Sequence, residues 1–258
     1  CEAVERAFGI AVPPRAQCIR TLCCELNRVS SHLLWFGTFL LDIGGITPFL
    51  LAFQDREHIL DLLDSLSGSR LTYCYARFGG VERDLPDGFA QGVGAFIARQ
   101  RANFRTYHRL VTNNAIFRKR TEGVGVISPE MVQDYGLSGP NARASGLDHD
   151  ARKAEPWGFL SEVDFDVPVR TGGDCFARHM LRFDEMEQSL RIVEQCLEKL
   201  PSGPIGPDKP MLKVKGKPGS WYHVAESPRG QLGWHLLGDD GTEPWRLKVR
   251  TPSFCNLA

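Results

Sequence analysis

Between Pro13-Pro14 and Gly44-Gly45 the stretch RAQCIRTLCCELNRVSSHLLWFGTFLLD repeats its apolar residues at intervals of three and four. Ile19, Leu22, Cys23, Leu26, Val29, Leu33, Phe36 and Leu40 therefore share one stripe, and the pattern predicts an α-helix from about Arg15 to Asp42. Proline at the start and glycine just past the end are the residues that open and stop a helix. Such a segment spans about 40 Å at 1.5 Å per residue, so the rest of the chain has to pack around it.

The opposite face of this helix changes character. Gln17, Arg20, Cys24, Glu25 and Arg28 give way to Ser31, Trp35, Thr38, Phe39 and Asp42, so the far end is expected to be buried all round. Thr38 and Asp42 are neighbours one turn apart, with Trp35 beside them and His32 further back. An aspartate in the last turn faces the negative end of the helix dipole, a penalty of some tenths of a kcal/mol that something should offset. Two readings stay open: a carboxylate that caps the Gly44-Gly45 turn through its amides, or a proton-handling group on an apolar cavity wall. His32 taken alone reads as a satisfied core histidine.

Thr47-Pro48 suits the cap and first residue of a second helix, FLLAFQDREHILDLLDSL, ended by Ser67-Gly68. A third helix is expected from about Gly88 to Asn113, and residues 121 to 172 suit loops with short helices. From Asp174 a fourth long helix carries Phe176, Met180, Phe183, Met186, Leu190, Val193, Leu197 and Leu200. WYHVAESPRG, QLGWHLLGDDG and EPWRLKVRTPSF then read as a small antiparallel meander. The expected architecture is mainly α, a single domain with a long-helix core over about 14 to 200 and a C-terminal β meander over about 219 to 257.

Thirty-one basic and thirty-one acidic residues cancel, so nothing global draws the chain to nucleic acid or anionic lipid. Eight cysteines without a CxxC pair read as free thiols in a reducing compartment. The apolar run Leu33 to Leu41 is far short of the roughly 20 residues a bilayer demands. Neither a dinucleotide fingerprint nor a phosphate loop occurs, and HExxH and GxSxG are also absent, so zinc, serine-hydrolase and nucleotide readings find no support. Seven Lys or Arg and no acid lie between Asp87 and Glu122, with Phe104, Tyr107 and Phe117 interleaved. That segment, 99 to 120, offers an alternative function as a basic-surface module for RNA or acidic lipid. The favoured reading is a solvated or subunit-facing surface with no nucleic-acid partner.

Taken in order, PPRAQCIRTLCCELNRVSSHLLWFGTFLLDIGGITPFLLAFQDRE, SGSRLTYCYARFGGVERDLP, EGVGVISPE, YGLSGPNARASGLDHDARK, FDVPVRTGGD and ESPRGQLGWHL with PWRLKVRTPSF resemble the D (49-kDa) subunits of proton-pumping NADH:quinone oxidoreductase, respiratory complex I. The resemblance runs over essentially the whole chain. It implies a helical, hydrogenase large-subunit-like fold in the peripheral arm of that translocase. The expected location is the cytoplasmic face of a bacterial inner membrane or the mitochondrial matrix side, with membrane contact through the membrane arm. It further implies a partner subunit carrying the terminal iron-sulfur cluster, with quinone as substrate in the space between the two. NADH and the clusters would be held by partner subunits and none by this chain, which would carry no metal.

By the same resemblance Asp42 matches the family's quinone-chamber aspartate, a catalytic role, and Thr38 a threonine on the same wall. His32, Arg77 and Arg229 are cavity-facing or cluster-facing candidates. The family's hairpin histidine and tyrosine would lie upstream of Cys1, so a fragment lacking both family termini, inactive alone, is expected. Thr72 stands where many members carry a histidine near the cluster, and the connection from Leu200 to Trp221 is shorter than in many relatives. The same subunit type also serves complexes that draw electrons from ferredoxin, a reduced deazaflavin or hydrogen.

Overall fold

In a computed structural model, which describes residues 1–208, 211 and 214–257, the long helix is present as α2, Pro14–Asp42. It follows a short α1, Glu2–Phe8, and turns back through Gly44-Gly45 into α3, Ile46–Ser67. The start of α3 differs slightly from expectation, because Gly45 is the cap and Thr47-Pro48 fall inside the first turn. Proline is tolerated there since the first amides of a helix have no intrahelical partner. Gly68 ends α3 in the left-handed conformation at φ 71, and its N–H reaches the Asp64 carbonyl, the role glycine fills without a Cβ penalty.

A two-residue ladder pairs β1, Ala76–Arg77, with β2, Gly80–Val81. Next come α4, Phe89–Tyr107, a wider π-type turn over His108–Thr112, and α5, Ala115–Thr121. The region expected to be loops with short helices holds α6, Pro129–Asp134, α7, Pro140–Arg143, and α8, Ala151–Ala154. The fourth long helix is α9, Cys175–Glu198, capped by Asp174, whose carboxylate accepts the Ala177 N–H at 2.7 Å. The meander is β3, Gly219–Ser227, β4, Gly230–Gly238, and β5, Arg246–Arg250, all antiparallel, before a last turn α10, Pro252–Cys255. The connection expected to be short, Leu200 to Trp221, lies partly outside the described residues.

α2 packs between α3 and α9, and the stripe read from the sequence is the buried one. Ile19, Leu22, Leu26, Val29 and Leu33 are fully shielded from solvent. Expectation fails on the other face, and in the opposite sense at each end. Arg20, Glu25 and Arg28 are buried, whereas Thr38, Leu41 and Asp42 are exposed. The early part of α2 is enclosed because Arg28 bonds the β3 end and Glu25 meets side chains from α8 and α9. Its last turns reach beyond that enclosure.

The hairpin of β3 and β4 turns through Pro228-Arg229, and its Gly230 sits against Gly139 at the head of α7. A Cβ on Gly139 would lie 2.4 Å from the Gly230 Cα, and Gly139 itself holds φ +67. Gly139→Ala is therefore expected to destabilise the fold by about 1–3 kcal/mol through overpacking and backbone strain. The check is a fall in urea midpoint, and an unchanged midpoint would show that this contact yields freely.

Candidate functional site

The last two turns of α2 present Trp35, Thr38, Phe39 and Asp42 along one side. Trp35 and Phe39 stack with ring centroids 4.8 Å apart and planes 13° from parallel, each covering a face of the other. The Arg182 guanidinium from α9 lies 3.9 Å from the Trp35 ring centroid, a cation–π contact. Thr38 Oγ1 donates to the Leu34 carbonyl at 3.0 Å, a bond that fixes its rotamer but leaves the oxygen lone pairs free to accept.

Asp42 does not act as a cap. The amides that it might have bound are taken by α2 carbonyls: Ile43 N–H by Phe39, Gly44 N–H by Leu41, Gly45 N–H by Leu40. Among the described residues its carboxylate makes no hydrogen bond or ion pair, and it faces solvent. Around it lie exposed apolar side chains, Leu41 at 44%, Ile46 at 62% and Leu50 at 59%. Arg120 of α5 clamps the turn by donating to the Ile43 carbonyl at 2.6 Å.

His32 faces the other way. It is buried, and Nε2 lies 2.8 Å from a carboxylate oxygen of Glu185 on α9. Burial pushes its pKa down to about 4 despite that partner, so the imidazole is neutral near pH 7. It is the satisfied core histidine.

Glu185 opens onto a buried charge network that sequence patterning did not predict. Arg143 donates through Nε to Glu185 at 2.9 Å and through Nη1 to Glu226 at 2.9 Å. Arg152 spans Glu25 at 2.9 Å and Asp150 at 2.7 Å, Arg28 pairs with Glu25 at 3.1 Å, and Ser189 donates to Glu25 at 2.6 Å. Burial alone would raise the Glu185 carboxyl, but Arg143 and His32 outweigh it and hold the pKa well below the usual range. Glu25 is likewise lowered against its burial by Arg28 and Arg152. The network ties α2, α7, α8, α9 and β3 together. The sequence signal that could have found it was the Glu25-Arg28 and Asp150-Arg152 spacing inside otherwise packed segments.

A pH dependence follows. The unfolded chain protonates His32 near pH 6.5, while the folded chain keeps it neutral to about 4. Between those values the unfolded state binds the extra proton, so stability is full above the window and falls as pH drops through it. His179, buried among aromatic rings and pushed down to about 3, acts in the same direction. The urea midpoint should fall steadily from pH 7 to 4, with a shallower slope in His32→Gln; equal slopes would contradict this assignment.

The remaining candidates do not converge on Asp42. Arg77 is exposed on the β1–β2 hairpin, where it pairs with Glu82 at 2.7 Å. Thr72, in the preceding loop, is exposed and holds φ 50, a left-handed value that β-branched residues rarely adopt. Arg229 sits at the β3–β4 turn opposite Ser31, about 16 Å along α2 from Asp42 at 1.5 Å per residue. In the basic segment Phe104, Tyr107 and Phe117 are buried, too enclosed to stack on a base, and Arg101 is paired with Glu187 and Glu194 of α9. Among the described residues no group of three His, Cys, Asp or Glu is placed to hold a metal, and no helix is long and apolar enough to cross a membrane.

Comparison with known proteins gives a consistent answer. Residues 42–218 and 211–258 match the family described as respiratory-chain NADH dehydrogenase, 49 Kd subunit. The NADH-quinone oxidoreductase D subunit of Syntrophobacter fumaroxidans is 53% identical over 255 residues, covering 99% of this chain and 68% of that protein. The corresponding D subunits of Desulfotalea psychrophila and Geobacillus kaustophilus are 52% and 50% identical, covering 99% and 100% of this chain and 68% and 70% of the relatives.

Proposed function

The chain belongs to the family of the 49 Kd subunit of respiratory-chain NADH dehydrogenase, and from that premise we propose that the last two turns of α2 form one wall of its quinone site. As a subunit of an NADH-quinone oxidoreductase, an oxidoreductase complex of electron transport, it works with other subunits. In our reading a neighbour that carries an iron-sulfur cluster closes the site from the opposite side, quinone enters between them, and NADH is handled by a further partner. The complex is membrane-associated; we place this chain peripherally, on the cytoplasmic or matrix face, with the membrane arm making the contact.

The observation that carries this reading is the surface around Asp42. A carboxylate, a hydroxyl and a stacked aromatic pair stand on the last two turns of α2, bordered by the exposed Leu41, Ile46 and Leu50. Exposed apolar side chains grouped around polar ones mark surfaces that another subunit or ligand covers. The edges of the stacked Trp35 and Phe39 rings offer an apolar border to a planar ring, and Thr38 Oγ1 can accept from a ring hydroxyl.

The chemistry assigned to this chain is proton supply and positioning. Reduction of a quinone to a quinol takes two electrons, delivered by the partner's cluster, and two protons at the ring oxygens. Asp42 can hand over a proton when covered by the neighbour and the quinone, and Thr38 Oγ1, whose own proton is held by the Leu34 carbonyl, can accept from the quinol hydroxyl once it has formed. The test is photoaffinity labelling of the assembled complex with an azido-quinone. Label recovered in residues 35–46 and displaced by excess quinone is the expected result. Label confined to other segments of this chain would overturn the assignment of the wall.

A further inference from the structure

A second concavity lies about three turns earlier on α2. It is a cleft of about 310 Å³ between α2, the β3–β4 turn and α10, and its lining holds no acid: Arg56 and Arg229 face it, with the hydroxyls of Ser30, Ser31, Thr251 and Ser253. The acids nearest in sequence are turned elsewhere. Asp55 binds Asn103 and Tyr107, Glu57 binds Arg70, and Glu226 binds Arg143 and the Ala151 N–H. Neither arginine forms an ion pair among the described residues, and Arg56 Nε is shielded from solvent with no hydrogen-bond partner. The four hydroxyls likewise make no side-chain hydrogen bonds among the described residues.

The walls are fixed. Arg28 pins the hairpin to α2 by donating to the Glu226 carbonyl at 2.6 Å and the Ser227 carbonyl at 2.9 Å. Asn256, just past α10, donates to the Arg229 carbonyl at 2.9 Å. The buried and unpartnered Arg56 Nε, with the exposed Arg229 guanidinium and several hydroxyls at the same preformed cleft and no acid among the lining, offers donors to a compact, multiply charged acceptor. A tetrahedral oxyanion meets it best, because each guanidinium can offer two parallel N–H bonds to two of its oxygens. The volume falls at the small end of ligand pockets, which suits a phosphate group and is too small for a dinucleotide.

We propose that this cleft is a phosphate-binding site in which Arg56 and Arg229 clamp the group and the surrounding hydroxyls complete its hydrogen bonds. The phosphate is carried either as the inorganic ion or as a phospholipid headgroup, the apolar rim of Leu34 and Leu232 being open to the start of an acyl chain. This role for Arg229 is independent of the quinone wall at Asp42.

The experiment is equilibrium dialysis of the full chain against radiolabelled inorganic phosphate at constant ionic strength, beside co-sedimentation with phosphatidylcholine vesicles with and without phosphatidic acid. Saturable binding of one phosphate per chain, weakened about tenfold or more in Arg56→Gln and in Arg229→Gln, is the expected result for the inorganic ion. Failure with inorganic phosphate, together with arginine-dependent binding to phosphatidic acid vesicles, assigns the same site to a headgroup. Arg56→Lys and Arg229→Lys keep the charge but lose the fork, and should bind less tightly than wild type with an unchanged circular dichroism spectrum; they decide the matter if the glutamine variants do not fold. Binding that does not saturate, that survives both substitutions, or that is absent in both arms overturns the proposal.

Discussion

Asp42→Asn in the complete complex is expected to slow quinone reduction by about a hundredfold, the range for loss of a positioned proton donor, while assembly and NADH oxidation by an artificial acceptor stay unchanged. Asparagine keeps the size of the side chain and can still accept a hydrogen bond, but it has no proton to give at this site. The structure makes the substitution a clean one, because among the described residues the Asp42 carboxylate supports no hydrogen bond and the turn that follows is closed by backbone carbonyls. A loss of stability would therefore be surprising, and a loss of turnover would be specific. Wild-type quinone turnover per assembled complex would remove Asp42 from the proton-handling role. The artificial acceptor separates that outcome from a failure upstream of the quinone.

Arg143→Met carries the largest expected effect on stability, about 3–5 kcal/mol, the range for breaking a buried ion pair from one side. Both carboxylates that Arg143 bridges, Glu185 and Glu226, are almost fully buried, as is Arg143 itself. Removing the cation leaves two acids without their main partner in the interior. Glu185 retains His32, and Glu226 retains the Ala151 N–H. Arg143→Met combined with Glu185→Gln should recover part of the loss, since an uncharged amide needs less compensation than a carboxylate. The urea midpoints of the single and double variants test this. A single variant within about 0.5 kcal/mol of wild type, the scale of ordinary surface substitutions, would mean the network is not a structural tie.

Much of this protein is determined by local pattern. A three-and-four apolar repeat has one geometric solution, so the course of α2 and its core stripe were legible to within a residue at the start. The course of α9 from Asp174 was legible in the same way, and the presence of the three strands was legible as well, with a two-residue turn at Pro228-Arg229 setting the β3–β4 register. The π-type turn after Tyr107 was not legible, because nothing in HRLVT distinguishes it from continued α-helix. Family membership was legible as well, through motifs in order, and it marked Asp42 and Thr38.

Which polar residues lie inside could not be read in the same way. Arg20, Glu25 and Arg28 look like a solvated face, yet they are buried, because their partners arrive from Glu5, Arg152, Ser189 and Glu226, up to 198 residues away. Conversely, an apolar helix end that reads as buried leaves Thr38, Leu41 and Asp42 exposed, because α5, which reaches the turn through Arg120 on the Ile43 carbonyl, does not cover that side. His32 and Asp42 sit ten positions apart on one helix and were grouped by sequence; the helical turn sends one into the core against Glu185 and the other to the surface. Periodicity is a property of neighbouring residues and survives in any fold that keeps the helix. Charge compensation and exposure depend on which distant segments meet, and only the tertiary structure decides that.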